Sequence, residues 1–180
     1  MLTKAEIEKY FMAEKQAGLI VLIIGAIAIV LALIFFFAIR TGLFKGAAIP
    51  FLFLGLMECM VGYAIYNRSD NDRIKNVYAY DMNPQQLKTE ELPRLQKLDK
   101  HFVVYKSVEI GFALLGIIIM LLFLGQTEKS FWVGLGLALL IQGILLFGIE
   151  TIASQRAKEY TRKLSAWLAA WPQPAAPLKD

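Results

Sequence analysis

Four long apolar runs, arranged as two closely spaced pairs, constrain this chain more than any other feature. They are Ala17–Ile39, Ala47–Tyr66, Ser107–Gly125 and Phe131–Ala153. The first contains no charged or strongly polar residue. At about 1.5 Å per helical residue, each run is roughly as long as a bilayer's hydrocarbon core is thick, about 30 Å. The chain has 180 residues and is 57% hydrophobic, which leaves little for a separate soluble core. The expected fold is an all-α membrane protein: a four-helix transmembrane bundle forming one domain, 1–180, with cytoplasmic segments 1–16, 67–106 and 154–180.

The reactive inventory is small. Cys59 is the one cysteine and His101 the one histidine, so neither an intrachain disulfide nor a Cys/His metal cluster can be assembled. No phosphate-binding glycine loop and no paired nucleophile and base occur. The expectation is therefore a chain without enzymatic activity, with no metal and no cofactor. The net charge of +4 is too small, and too clearly sorted along the chain, to suggest nucleic acid.

That sorting sets the orientation. Lys4, Lys9 and Lys15 precede the first run. Arg68, Arg73, Lys75, Lys88, Arg94, Lys97, Lys100 and Lys106 lie between the pairs. Arg156, Lys158, Arg162, Lys163 and Lys179 follow the last run. The two short connections hold only Arg40 with Lys45, and Lys129. Basic residues accumulate on the cytoplasmic side. Both termini and the long middle segment are then expected inside, in a plasma membrane of the bacterial inner-membrane type. The polar stretch Met1–Gln16 does not resemble a signal peptide, and Thr3 with Glu6 fits a capping box that starts a helix.

The halves 1–88 and 92–180 match each other. Glu8-Lys9-Tyr10-Phe11 followed by Lys15 sets against Asp99-Lys100-His101-Phe102 followed by Lys106, and the same offset pairs Gly25 with Gly116. In the second helices Gly46 pairs with Gly134, Gly55 with Gly143 and Arg68 with Arg156. This predicts two duplicated hairpins related by an axis along the membrane normal, a parallel repeat. Small residues recur at heptad spacing: Gly18, Gly25 and Ala32; Ala48, Gly55 and Gly62; Gly136 and Gly143, then Glu150. Such seams permit close helix approach in a left-handed bundle. Pro50 reads as a first-turn residue of the second helix.

Polar residues inside the runs are the candidate site. Glu58 lies near the middle of the second run, on one face with Gly55, Cys59 and Gly62, and is expected to point into the bundle. The plainer reading is a glutamic acid hydrogen-bonded to a neighbour such as Gln142; the sharper one is a proton or cation site. Glu109 and Glu150 lie near the cytoplasmic ends of their helices, where pairing with Lys106 or Arg156 is expected. A cytoplasmic ion vestibule is the alternative. Cys59 reads as a packing residue.

Two further segments are legible. Between the pairs, acids and bases alternate, which predicts a solvated helical surface. Ile74, Val77, Tyr78 and Met82 form a stripe on an extension of the second span. Asn83-Pro84 should break that extension, and Leu95, Leu98 and Phe102 lead into the third span. The two extensions are expected to pack together. Over 157–171, Tyr160, Leu164, Trp167, Leu168 and Trp171 share one face opposite Lys158, Arg162 and Lys163. This predicts an amphipathic helix on the membrane surface, with docking onto the protein as the alternative. Pro172, Pro174 and Pro177 suggest an extended tail.

The expected partners are the lipid bilayer and another membrane protein or a second copy of the chain. The function expected is a non-catalytic membrane interaction protein of accessory, assembly or immunity type. The alternative is a small oligomeric ion- or proton-coupled transporter or channel using Glu58.

Overall fold

The computed structural model describes residues 2–171, and within them every regular element is helical. Helix α1 spans Lys4–Ile34, α2 Gly42–Met82, α3 Pro84–Gln86, α4 Leu92–Phe123 and α5 Ser130–Ala170. Widened turns at Phe35–Ile39 and Leu87–Glu91 extend α1 and join α3 to α4. The result is an all-α four-helix bundle of rods 36 to 44 residues long, each apolar enough to cross a membrane. The rods reach well beyond the apolar runs, because both hairpin partners continue as helix into polar sequence.

Local chemistry explains the ends. At the start of α1, the Thr3 N–H donates to Glu6 Oε2 at 3.1 Å and the Glu6 N–H donates to Thr3 Oγ1 at 3.3 Å. This is the expected reciprocal cap, and it satisfies two amides that have no partner inside the helix. At the far end, Arg40 adopts a left-handed conformation, φ 58°, and its Nε donates to the Phe37 carbonyl at 2.6 Å. Gly125 turns the second hairpin at φ 86°, a backbone region open to glycine without steric penalty. Pro50 differs from the expectation. The helix begins at Gly42, so Pro50 lies in its interior, where its missing N–H takes a partner from the Gly46 carbonyl.

The bundle is built inside-out relative to a water-soluble one. Gly18, Gly25, Ala28 and Ala32 of α1 are buried, as are Gly46, Ala48, Gly55 and Gly62 of α2 and Gly134, Gly136, Ala138 and Gly143 of α5. Large side chains such as Ile27, Phe37, Phe53, Leu114, Leu121 and Ile144 face outward. Lipid offers helices no hydrophobic gain on association, so contact depends on small residues that let backbones approach.

α1 packs along α2, α4 packs along α5, and the two hairpins join through α2 and α5. That joint is very tight. A Cβ on Gly46 would lie 1.9 Å from the Phe131 carbonyl oxygen, and one on Gly134 would lie 1.8 Å from the Leu43 oxygen. Within the hairpins, Gly25 abuts the Gly55 oxygen and Gly116 abuts the Gly136 oxygen in the same manner.

Replacing Gly46 or Gly134 with Ala should therefore force the hairpins apart and sharply lower thermal stability in detergent. Gly111→Ala and Gly148→Ala are the internal controls: a Cβ meets nothing within 4 Å at either position. They should be neutral or stabilising by up to about 1 kcal/mol through helix propensity. Equal losses at all four positions would refute this account of the joint.

Candidate functional site

Glu58 is buried, 5% exposed, as its position on the small-residue face of α2 predicts. It lies on the seam with α1, where a Cβ on Gly25 would come within 2.8 Å of its Cβ. Both of its carboxyl oxygens lack a hydrogen-bond partner, and so does Nε2 of the buried Gln142. The expected Glu58–Gln142 hydrogen bond is not made. Glu58 faces its own hairpin partner, whereas Gln142 belongs to the other hairpin. Cys59 Sγ donates to the Leu22 carbonyl at 3.6 Å, across the same seam.

Glu109 is buried on the α4–α5 seam, its backbone oxygen 2.8 Å from where a Cβ on Gly143 would lie, and Glu150 follows Gly143 by about two turns on α5. Each keeps one buried oxygen without a hydrogen bond, and neither forms an ion pair among the described residues. The expected bridges to Lys106 and Arg156 are thus absent. Arg156 turns instead to α1, where its Nη1 donates to the Ala13 carbonyl at 3.1 Å.

Near these acids, where the apolar spans give way to polar sequence, residues of all four helices line a cavity of about 290 Å³ between the two hairpins. Its floor is apolar, from Val21, Val61, Ile65 and Ile149. Its upper wall carries Arg68, His101 and Arg156, with Tyr10, Glu14 and Tyr105, and Glu150 lies lower, next to Ile149. Of the four intramembrane candidates, this cavity takes in Glu150 alone.

Beyond the cavity the helices close again into a polar head with a water-soluble type of core. Leu2, Ile7, Phe11, Ala79, Leu87, Leu95, Tyr160, Leu164, Trp167 and Leu168 form one buried cluster. Here the expectation of a membrane-surface helix must be corrected. The segment continues α5 without a break, and four of its five face residues are buried in the protein; Trp171 remains 42% exposed. The physical reason is that α1, α2 and α4 also extend past the spans, offering an apolar surface more complete than a headgroup layer. Tyr160 stacks on Tyr10 with ring centroids 4.2 Å apart, and Trp167 stacks on Tyr80 at 4.8 Å. The proline tail falls outside the described residues.

Two expectations about the middle segment also change. Glu91, in the middle segment expected to be a solvated surface, is buried, and it takes a bidentate pair of bonds from Arg94, Nε and Nη2 each at 2.8 Å. Burial opposes the Arg94 charge, yet the bonds and charge of Glu91, with Glu14, raise its pKa above the ordinary arginine value. The spacing of Leu87, Glu91 and Leu95 on one face was the available signal. Conversely, Ile74, Tyr78 and Met82 do not pack against the second extension; they are 63%, 63% and 70% exposed. The inward face of α2 there is Ser69, Asn76 and Ala79, small or self-bonded residues that leave room for Phe11, Leu164 and Trp167 from the other helices.

A belt of ion pairs surrounds the head: Lys4–Asp81, Lys15–Asp70, Arg68–Glu14, Lys75–Glu90, Lys158–Asp99 and Glu6–Lys163. Comparison with protein-family models, curated proteins and solved structures finds no match to this chain. The class that its own structure defines is an all-helical protein with four helices suited to crossing a membrane, capped by a packed polar head.

The Tyr160 hydroxyl is buried without a partner, so Tyr160→Phe should change stability by no more than about 1 kcal/mol, in the favourable direction. Leu164→Ala, in the same cluster, should cost about 2–5 kcal/mol. Thermal denaturation of the two variants separates packing from polarity.

The head should also respond to pH at both extremes. Bonds from Lys163, Lys15 and Lys75 hold Glu6, Asp70 and Glu90 below their ordinary values of 4.5, 3.8 and 4.5. Their contribution is complete above those values and is lost as the pH falls through the lowered ones. Burial raises Tyr10 and Tyr160 above their ordinary value of 10, so their contribution is complete below 10 and is lost as the pH rises beyond it. Tyrosinate absorbance should therefore show two tyrosines that ionise only as the head opens. Smooth ionisation of all tyrosines near pH 10 would contradict the burial.

Proposed function

We propose that this chain is a non-catalytic integral membrane interaction protein, an accessory, assembly or immunity-type partner of another membrane protein or of a second copy of itself. Basic residues on both terminal segments and on the middle segment support two duplicated hairpins with both ends cytoplasmic, in a bacterial inner-membrane type of bilayer. The reciprocal contacts of Gly46 with Phe131 and of Gly134 with Leu43 support the duplication, since a parallel two-fold relation exchanges one contact for the other.

The observation that carries the reading is the row of Ile74, Tyr78 and Met82. It stands on a rigid cytoplasmic head, past the spans, turned away from the core that the head already fills. Large apolar side chains in water on a preformed helix face fit recognition of another protein. The tight head couples that face to the membrane segments without a flexible linker.

Photo-crosslinking from Tyr78 and Met82 in native membranes tests this. Discrete protein adducts are expected at both positions, and Tyr78→Glu should abolish the adduct at Met82. Absence of any protein adduct from either position would sink the proposal.

A second reading rests on Glu58, a buried carboxyl with both oxygens unpartnered. As the coupling group of a small oligomeric transporter or channel, it should make proton or cation flux in proteoliposomes sensitive to Glu58→Gln and abolish it in Glu58→Leu. Unaltered flux in the leucine variant would remove Glu58 from any such path.

A further inference from the structure

The cavity between the hairpins joins two environments along its length. Ala17, Val21, Val61 and Ile149 line the part within the apolar spans, and Arg68, His101 and Arg156 line the part at the polar head. Val61 and Tyr105 are each about half exposed at its margin, so its side lies open toward the lipid. The shape and polarity suit an amphiphile whose chain lies in the bilayer and whose head reaches the cytoplasmic boundary.

The sign of the head follows from the guanidinium groups. Arg68 is already matched: its Nη2 donates to Glu14 Oε1 at 2.9 Å. Arg156 is not. It donates to two neutral carbonyls, Ala13 at 3.1 Å and Ile152 at 3.5 Å, and has no carboxylate among its ion pairs in the described residues. A half-buried guanidinium without a counter-charge is a strong hydrogen-bond donor to an oxyanion. Two carboxylates share the cavity. Glu14 is held by Arg68 and lies 3.8 Å from Arg94. Glu150 is six positions nearer the bilayer centre, about 9 Å along the helix, beyond contact with a head at Arg156.

We propose that this cavity binds one anionic phospholipid of the cytoplasmic leaflet, its phosphate on Arg156 beside His101 and the first part of an acyl chain on the Val21–Val61–Ile149 floor. Basic pockets between membrane helices are suited to such heads. The bound lipid supplies the counter-charge that Arg156 lacks and fills the space between the hairpins, so it links α1, α2, α4 and α5 at the base of the head.

The test uses the full chain, purified and stripped of lipid in detergent, then titrated with phosphatidylglycerol, phosphatidylcholine or inorganic phosphate. Binding is followed by intact-complex mass spectrometry and by the shift in Tm. Phosphatidylglycerol should bind at one copy per chain and raise Tm; phosphatidylcholine and inorganic phosphate should do so weakly. Arg156→Gln keeps a donor for the Ala13 carbonyl but removes the charge, and should weaken phosphatidylglycerol binding about tenfold. Arg156→Lys should restore most of it. Ala153, a small residue of the cavity lining between Ile149 and Arg156, gives the steric variant: Ala153→Phe should abolish binding with the charges intact. Arg162→Gln, an exposed base outside the cavity, should have no effect.

Equal binding of phosphatidylcholine, or of inorganic phosphate, would overturn the proposal, the first because the charge is not read and the second because the chain is not. An equal loss in Arg162→Gln would reduce the effect to general surface charge and overturn it as well. Should Ala153→Phe fail to fold, the contrast of Arg156→Gln with Arg156→Lys decides the matter.

Discussion

Close backbone approach at the α2–α5 joint is the constraint on which the remaining structure depends. Gly46 and Gly134 each accept a carbonyl of the facing helix where no side chain would fit. Lipid tails are as apolar as leucine, so burying leucine between helices gains little there. Dispersion contact between backbones must do the work, and it falls off steeply with separation. The joint lies near the short connections. Away from it each hairpin stays closely packed, and the cavity lies between the two hairpins.

The same rods obey opposite rules along their length. In the spans, small residues are inside and large ones outside. In the head, Phe11, Leu164 and Trp167 are inside, and charged residues form the rim. The change follows the change of solvent: water rewards burial of apolar area, at about 25 cal/mol per Å², and lipid does not. Continuous α1, α2 and α5 couple the two regimes mechanically.

Polar groups in the spans are left in an unusual state. Glu58, Gln142, Glu109 and Glu150 each hold at least one buried polar atom without a hydrogen bond. Such groups are disfavoured in an apolar medium unless something satisfies them. Their distribution separates roles. Glu58 is enclosed within one hairpin seam, Glu109 lies on the other, and of the four only Glu150 lines the cavity.

The four long helices and their all-α class were legible in the amino-acid sequence, since apolar runs of bilayer length admit few alternatives and Thr3 with Glu6 announces a cap by local chemistry alone, whereas the limits of the rods were not. The inward position of Glu58 was legible too, from its shared face with Gly55 and Gly62. Which side chains meet was not. Glu58 and Gln142 lie at similar depth yet belong to different seams, and depth along a helix says nothing of which neighbour a face meets. The aromatic face from Tyr160 to Trp171 was equally suited to a headgroup layer or a protein core, because both reward the same amphipathic pattern. Only the joint extension of four helices into water, which brings Phe11, Ala79 and Leu95 to that face, decided between them.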